Sequence, residues 1–146
     1  MRRFATPVLG PPLLALAFLA FGLAGCDRIA RVKECRALVR RINVRIDEIQ
    51  AASKKGTPAD YRAASAVYTA LAKEVRSAGA SNPSVQAQRD EYAATLDSIA
   101  PAVAAYATVL ESGDAHKIAE SRRTLERLRR TEQSVAKRME NQCDGP

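Results

Sequence analysis

From residue 32 to residue 139, apolar or small side chains recur at intervals of three and four along four segments of the chain. Val32, Cys35, Val39, Ile42, Ile46 and Ile49 form the first stripe, and Tyr61, Ala64, Tyr68, Leu71, Val75 and Ala78 the second. The third runs Val85, Gln88, Tyr92, Leu96, Ile99, Val103, Tyr106 and Leu110. The fourth runs Ile118, Ser121, Leu125, Leu128, Glu132, Val135 and Met139. A period near 3.5 residues puts such positions on one face of a helix, and no segment alternates with the period of two that a strand requires. Lys54-Lys55-Gly56-Thr57-Pro58, Ser81-Asn82-Pro83-Ser84 and Ser112-Gly113-Asp114 are the dense turn clusters after residue 30. Three breaks between periodic segments predict four helices. Their spacing fits nearly antiparallel packing with a crossing angle of about +20°, so an all-α, antiparallel up-and-down four-helix bundle is the expected fold.

Ahead of the first stripe lie Arg2 and Arg3, then eleven apolar residues from Leu13 to Leu23, then Ala24, Gly25 and Cys26. A basic start, a short apolar run and small residues at a cut form a secretory signal, and eleven residues are too few to span a bilayer. The Leu23-Ala24-Gly25-Cys26 tetrapeptide resembles the lipobox of bacterial lipoproteins. The resemblance covers residues 1 to 27 and implies that residues 1–25 are removed as a signal peptide. It also implies that Cys26 is lipidated, becomes the new N-terminus, and anchors residues 26–146 to a cell membrane, facing the periplasm or the exterior. Asp27 resembles the inner-membrane retention signal of enterobacterial lipoproteins, a rule that varies elsewhere and leaves inner or outer membrane undecided.

With Cys26 carrying lipid, Cys35 and Cys143 are the two cysteines left. One disulfide between them is expected in an oxidising compartment, where a loop of about a hundred residues adds roughly 4 to 5 kcal/mol in the chain-entropy model; two free thiols or an intermolecular bridge are the alternatives. The bridge also tests the helix count, because an even number of antiparallel helices returns the chain to its starting end.

At about 1.5 Å per residue, Cys35 to Ser53 spans roughly 27 Å and Ala59 to Gly79 roughly 30 Å. Ser84 to Glu111 spans roughly 40 Å and Asp114 to Cys143 roughly 43 Å. With the lower ends level, the second hairpin overshoots the first by about 10 to 15 Å, and a kink is expected at Pro101 near the height where the first hairpin stops. The overhanging tip carries Tyr106, Leu110 and Ile118, a candidate contact site for an envelope protein unless it folds back over the first hairpin.

The whole chain has a net charge of +7, and after loss of Arg2 and Arg3 the remaining 121 residues hold 21 basic against 16 acidic side chains. Charges of both signs alternate along the helices, as on a solvated surface, and no aromatic-basic groove suggests a nucleic-acid partner. Arg28, Arg31, Lys33 and Arg36 follow the lipidation site, and Lys137 and Arg138 return to the same end. They form either a collar facing anionic headgroups or an ordinary solvated surface.

Catalytic chemistry is sparse. His116 is the one histidine, and it falls in the first turn of the fourth helix, where an exposed position is expected. No Cys-x-x-Cys-His, Glu-x-x-His or His-Glu-x-x-His motif occurs, so no cofactor, no metal and no enzymatic activity are expected. Glu132 interrupts the fourth stripe at a height of about 16 Å, beside Tyr68 at about 16 Å and Tyr92 at about 12 Å. There it either takes hydrogen bonds from the tyrosines or sits at the edge and reaches water beside Arg129. Two functions remain: a lipid-anchored helical interaction or structural module of the envelope using the distal hairpin, or a carrier of a small ligand or metal using the interior near Glu132, Tyr68 and Tyr92. A filled core with an apolar tip favours the first, and a cavity of a few hundred Å³ favours the second.

Overall fold

The computed structural model describes the backbone of residues 13–144 and the side-chain surroundings of residues 28–143. It holds four helices, α1 (Leu13–Ala52), α2 (Pro58–Ser77), α3 (Pro83–Ser112) and α4 (Ala115–Asp144), and no strand among the described residues. The three turn clusters separate them. Two helices start on the prolines of those clusters because a proline at the first helical position loses no helical hydrogen bond. Thr57 and Asp60 exchange side-chain and backbone hydrogen bonds in a capping box at the start of α2. The Asn82 side chain accepts from the Ser84 amide at the start of α3, and the Asp114 side chain accepts from the amides of His116 and Lys117 at the start of α4. Gly113 closes α3 with a φ of 68°, a left-handed conformation that glycine adopts without steric cost.

α1 passes unbroken through the lipobox positions, so no interruption of the helix marks the expected boundary between residues 25 and 26. The side chain of Cys26, and with it the lipidation site, lies outside the described residues.

Residues that pair between successive helices descend along one as they ascend along the next. Glu34 meets Ser81, and Arg45 meets Glu74. Arg62 meets Glu111, and Arg76 meets Asp97. Gln88 meets Gln142, and Arg138 meets Glu91. Cys35 and Cys143 stand at disulfide distance with Cα atoms 5.4 Å apart, within the range such a bond requires.

α3 is the central helix and packs most extensively on α2. Among the described residues it is the helix long and apolar enough to cross a bilayer, and that apolar surface is used inside: Tyr92, Ala93, Leu96 and Ala107 have no solvent exposure. Pro101 lies inside α3, which continues through it, and the proline itself is exposed. α4 differs from the other three. It is fully buried only at Val135, Met139 and Cys143, while Ile118, Leu125 and Leu128 are half-buried.

The relative heights differ from the expectation. Tyr61, three residues into α2, packs edge to face on Tyr106, with ring centroids 4.9 Å apart and planes at 84°. Tyr106 stands six residues before the end of α3, so only about one turn, roughly 5 Å, of α3 extends past the start of α2. At the other end the Arg89 guanidinium donates to the Ala78 carbonyl, which sets the first turns of α3 beyond the end of α2. The extra length of α3 is thus shared between both ends.

Candidate functional site

Tyr106 is 5 % exposed. The expected contact triad at the tip is therefore not a surface triad: Tyr106 is buried against Tyr61, and Leu110 and Ile118 are half-buried. The physical reason is the shared overhang, which leaves too little of α3 free to carry Tyr106 out of the domain. His116 is exposed, in the first turn of α4.

The second set of residues does come together. The Tyr92 hydroxyl donates to Glu132 Oε1 over 2.6 Å. Tyr92 is fully buried, while Glu132 and Tyr68 are half-buried. Burial, then the hydrogen bond to Glu132, then the Glu132 charge hold the Tyr92 phenol far above the ordinary tyrosine range. Burial raises the Tyr68 phenol as well, with the Glu132 charge acting in the same direction and Arg129 opposing it. Tyrosines kept neutral in this way are hydrogen-bond donors over the whole physiological range.

Glu132 and Tyr68 stand at one side of an interhelical cleft of about 490 Å³, with Tyr92 buried behind Glu132. Its floor is apolar and aromatic, with Ala64 and Tyr61 from α2 and Ile99, Val103 and Tyr106 from α3. Ile49 and Ser53 of α1 line it as well. Leu125 of α4 completes it together with Arg122, Glu126, Arg129 and Glu132, a row spaced by about one turn. The neighbouring Tyr106 first, and then the Glu126 carboxylate, raise the Arg122 guanidinium pKa. No family model, curated protein or solved structure matches this chain. The reading of the cleft therefore rests on its own chemistry. Two cations face two carboxylates, so the lining is electrically balanced and does not select a polyanion. Among the described residues, no three His, Cys, Asp or Glu side chains converge as a metal site would require. What the lining offers is apolar area, aromatic edges and a short row of polar groups on α4, the pattern of a site for a small amphipathic organic molecule.

A second hollow, of about 410 Å³, lies between α1 and the loop joining α2 to α3. Its carboxylate, Glu34, already accepts from the amides of Ser81 and Asn82 and from the Ser81 hydroxyl. Those bonds draw the Glu34 pKa below the usual carboxylate range. Glu34 is thus a clasp for the loop.

Sequence arithmetic placed Tyr68, Tyr92 and Glu132 near one height and gave Arg129 only as a neighbour of Glu132 at the stripe's edge, and it missed Arg122 and Glu126. The available signal was their spacing: 122, 126, 129 and 132 follow the helical repeat directly beside the apolar stripe of α4.

Proposed function

We propose that this chain is a bacterial lipoprotein, cut before Cys26 and acylated there, whose residues 26–146 form an antiparallel up-and-down bundle that binds a small amphipathic organic molecule at the outer face of a membrane. The cleft carries the binding reading. It is large enough for a molecule of a few rings or a short acyl chain, apolar at its floor, and fringed by donors and acceptors on α4. The order of charge, apolar run and small residues before Cys26 supports the anchor. An envelope-protein contact at the distal hairpin is the weaker reading, because Tyr106 is unavailable and only the half-buried Leu110 and Ile118 are left to make it.

The test uses 1-anilinonaphthalene-8-sulfonate, an amphipathic fluorophore of suitable size, with the purified full chain and a Leu125→Trp variant that fills the cleft from α4. Saturable binding at one site by the native protein, lost in the variant at unchanged helicity, supports the reading. Equal binding by both proteins, or none by the native one, overturns it.

A further inference from the structure

The two large apolar side chains exposed on the described surface are Ile29, at 70 %, and Val44, at 61 %. Both belong to α1. Between them on the same helix are Lys33, Arg36 and Arg40, all exposed. The spacings from 29 to 33, 36, 40 and 44 are four, three, four and four, so all five positions fall on one side of a helix with about 3.6 residues per turn. That side is opposite Cys35, Leu38 and Ile42, which are buried. Counted back along α1, position 26 stands three residues before Ile29 and joins the same row.

We infer that this face of α1 lies on an anionic membrane surface, so that the bundle rests on its side with the α1 axis along the bilayer instead of standing upright on its anchor. The inference builds on acylation at Cys26. Acylation at position 26, which shares the register of the stripe, ties that end of the row to the lipid. Ile29 and Val44 then enter the headgroup boundary, and Lys33 and Arg40 reach lipid phosphates, which is the chemistry of an interfacial amphipathic helix. The long stems of lysine and arginine suit this position, since they lie on apolar surface while their charges stay in water. Asp47 ends the row and marks how far along α1 the contact extends.

The test compares protein-layer heights by neutron reflectometry, using the full acylated chain on supported bilayers of phosphatidylcholine with and without phosphatidylglycerol. A bundle on its side adds a layer of about 20 Å, two helices deep, whereas an upright one with helices of 30 residues adds about 45 Å. The native protein should give the thin layer on the anionic bilayer. A variant with Lys33→Glu, Arg40→Glu, Ile29→Ser and Val44→Ser, checked for unchanged melting temperature, should give the thick one. A thick layer for the native protein, or a thin layer for both, overturns the inference. So does native protein that sediments as a dimer in detergent while the variant is a monomer, since the face would then belong to a second copy. Intact mass of the same sample reports acylation separately. If no acyl chain is found, the anchor reading falls alone, and the face is judged by co-flotation with anionic vesicles, which the native protein must show and the variant must lose.

Discussion

Replacing Tyr92 with phenylalanine removes one hydroxyl and leaves the ring. Tyr92 has no solvent exposure, and its hydroxyl donates to Glu132 over 2.6 Å. A hydrogen bond to a charged acceptor contributes about 1.5 to 3 kcal/mol net. Glu132 lines an open cleft, so water replaces the lost donor, and the expected loss at pH 8 is at the low end, about 1 to 1.5 kcal/mol. Glu132→Leu leaves the Tyr92 hydroxyl buried without an acceptor, at a cost of about 1 to 3 kcal/mol. The double variant removes both groups and is expected to lose less than the two single losses together. The pH dependence has a definite sign. An unfolded tyrosine ionises near about pH 10, while folded Tyr92 keeps its proton well above that. Below about pH 10 both states hold the proton and the group adds no slope; above it the native state loses stability by about 1.4 kcal/mol per pH unit on this account. Phenylalanine has no such term, so the gap between native and Tyr92→Phe protein should shrink from about 1 to 1.5 kcal/mol at pH 8 to nearly zero at about pH 11. Urea denaturation followed by circular dichroism at both pH values measures it. A gap that is the same at pH 8 and pH 11 would refute the reasoning, since Tyr92 would then ionise as freely folded as unfolded.

Intact mass of membrane-extracted protein should show a chain that begins at Cys26 and carries fatty acyl additions lost in Cys26→Ser; an unmodified terminus elsewhere contradicts the anchor. Replacing both Cys35 and Cys143 by alanine opens a loop with a sequence separation of 108 and should lower stability in urea by about 4 to 5 kcal/mol, while a loss below about 1 kcal/mol would mean that no intramolecular bridge forms. Glu34→Gln should cost about 1 kcal/mol at pH 7 by weakening the clasp on Ser81 and Asn82. Because the Glu34 pKa is lowered in the folded state, that difference is present above the unfolded glutamate value of about 4.3 and should vanish as pH falls through the folded one; a difference that persists in acid would point to side-chain shape in place of charge. Tyr106→Ser should lower stability by about 3 kcal/mol through lost aromatic burial, and the Leu110→Ser, Ile118→Ser pair by about 1 kcal/mol per side chain; a neutral Tyr106→Ser would return Tyr106 to the surface.

The helix boundaries were written in local chemistry. Thr57-Pro58, Asn82-Pro83 and Gly113-Asp114 state where one helix stops and the next starts with no reference to the rest of the chain, and the apolar spacing states which side faces inward. The meeting of Tyr68, Tyr92 and Glu132 was open to arithmetic for a related reason: all three lie near mid-helix, where an error of one turn in offset still leaves them within reach. Tyr106 lies near a helix end, and there an offset of one turn decides between tip and interior. Rise per residue gives a helix its length but not its slide against a neighbour, which is set by interdigitation of particular side chains such as Tyr61 with Tyr106. The stripe of Ile29, Lys33, Arg40 and Val44 was also present in the sequence, yet its charges read as a solvated face, and periodicity does not show that Ile29 and Val44 stay uncovered when the helices pack. That became visible once Cys35, Leu38 and Ile42 were seen to fill the core.

The cleft follows from the same asymmetry in α4. A helix that carried leucine or isoleucine at each inward position would draw α1 toward it along its whole length. α4 instead places Ser121 and Glu132 in its inward row and has Arg122, Glu126 and Arg129 directly beside it. Burying unpaired charges against Ile49 would cost more than the apolar contact returns, so close packing of α1 on α4 is favoured past Glu132, where Val135, Met139 and Cys143 are buried and no charge lies in the row. Cys35 and Cys143 stand at that end. α1 and α4 are therefore joined where their side chains agree and separated where they do not, and contacts between them are far fewer than those between α2 and α3. The space left over is floored by the two helices that pack best. In this chain the polar interruption of one apolar stripe accounts at once for the position of the cleft, its amphipathic lining and the end at which Cys35 and Cys143 meet.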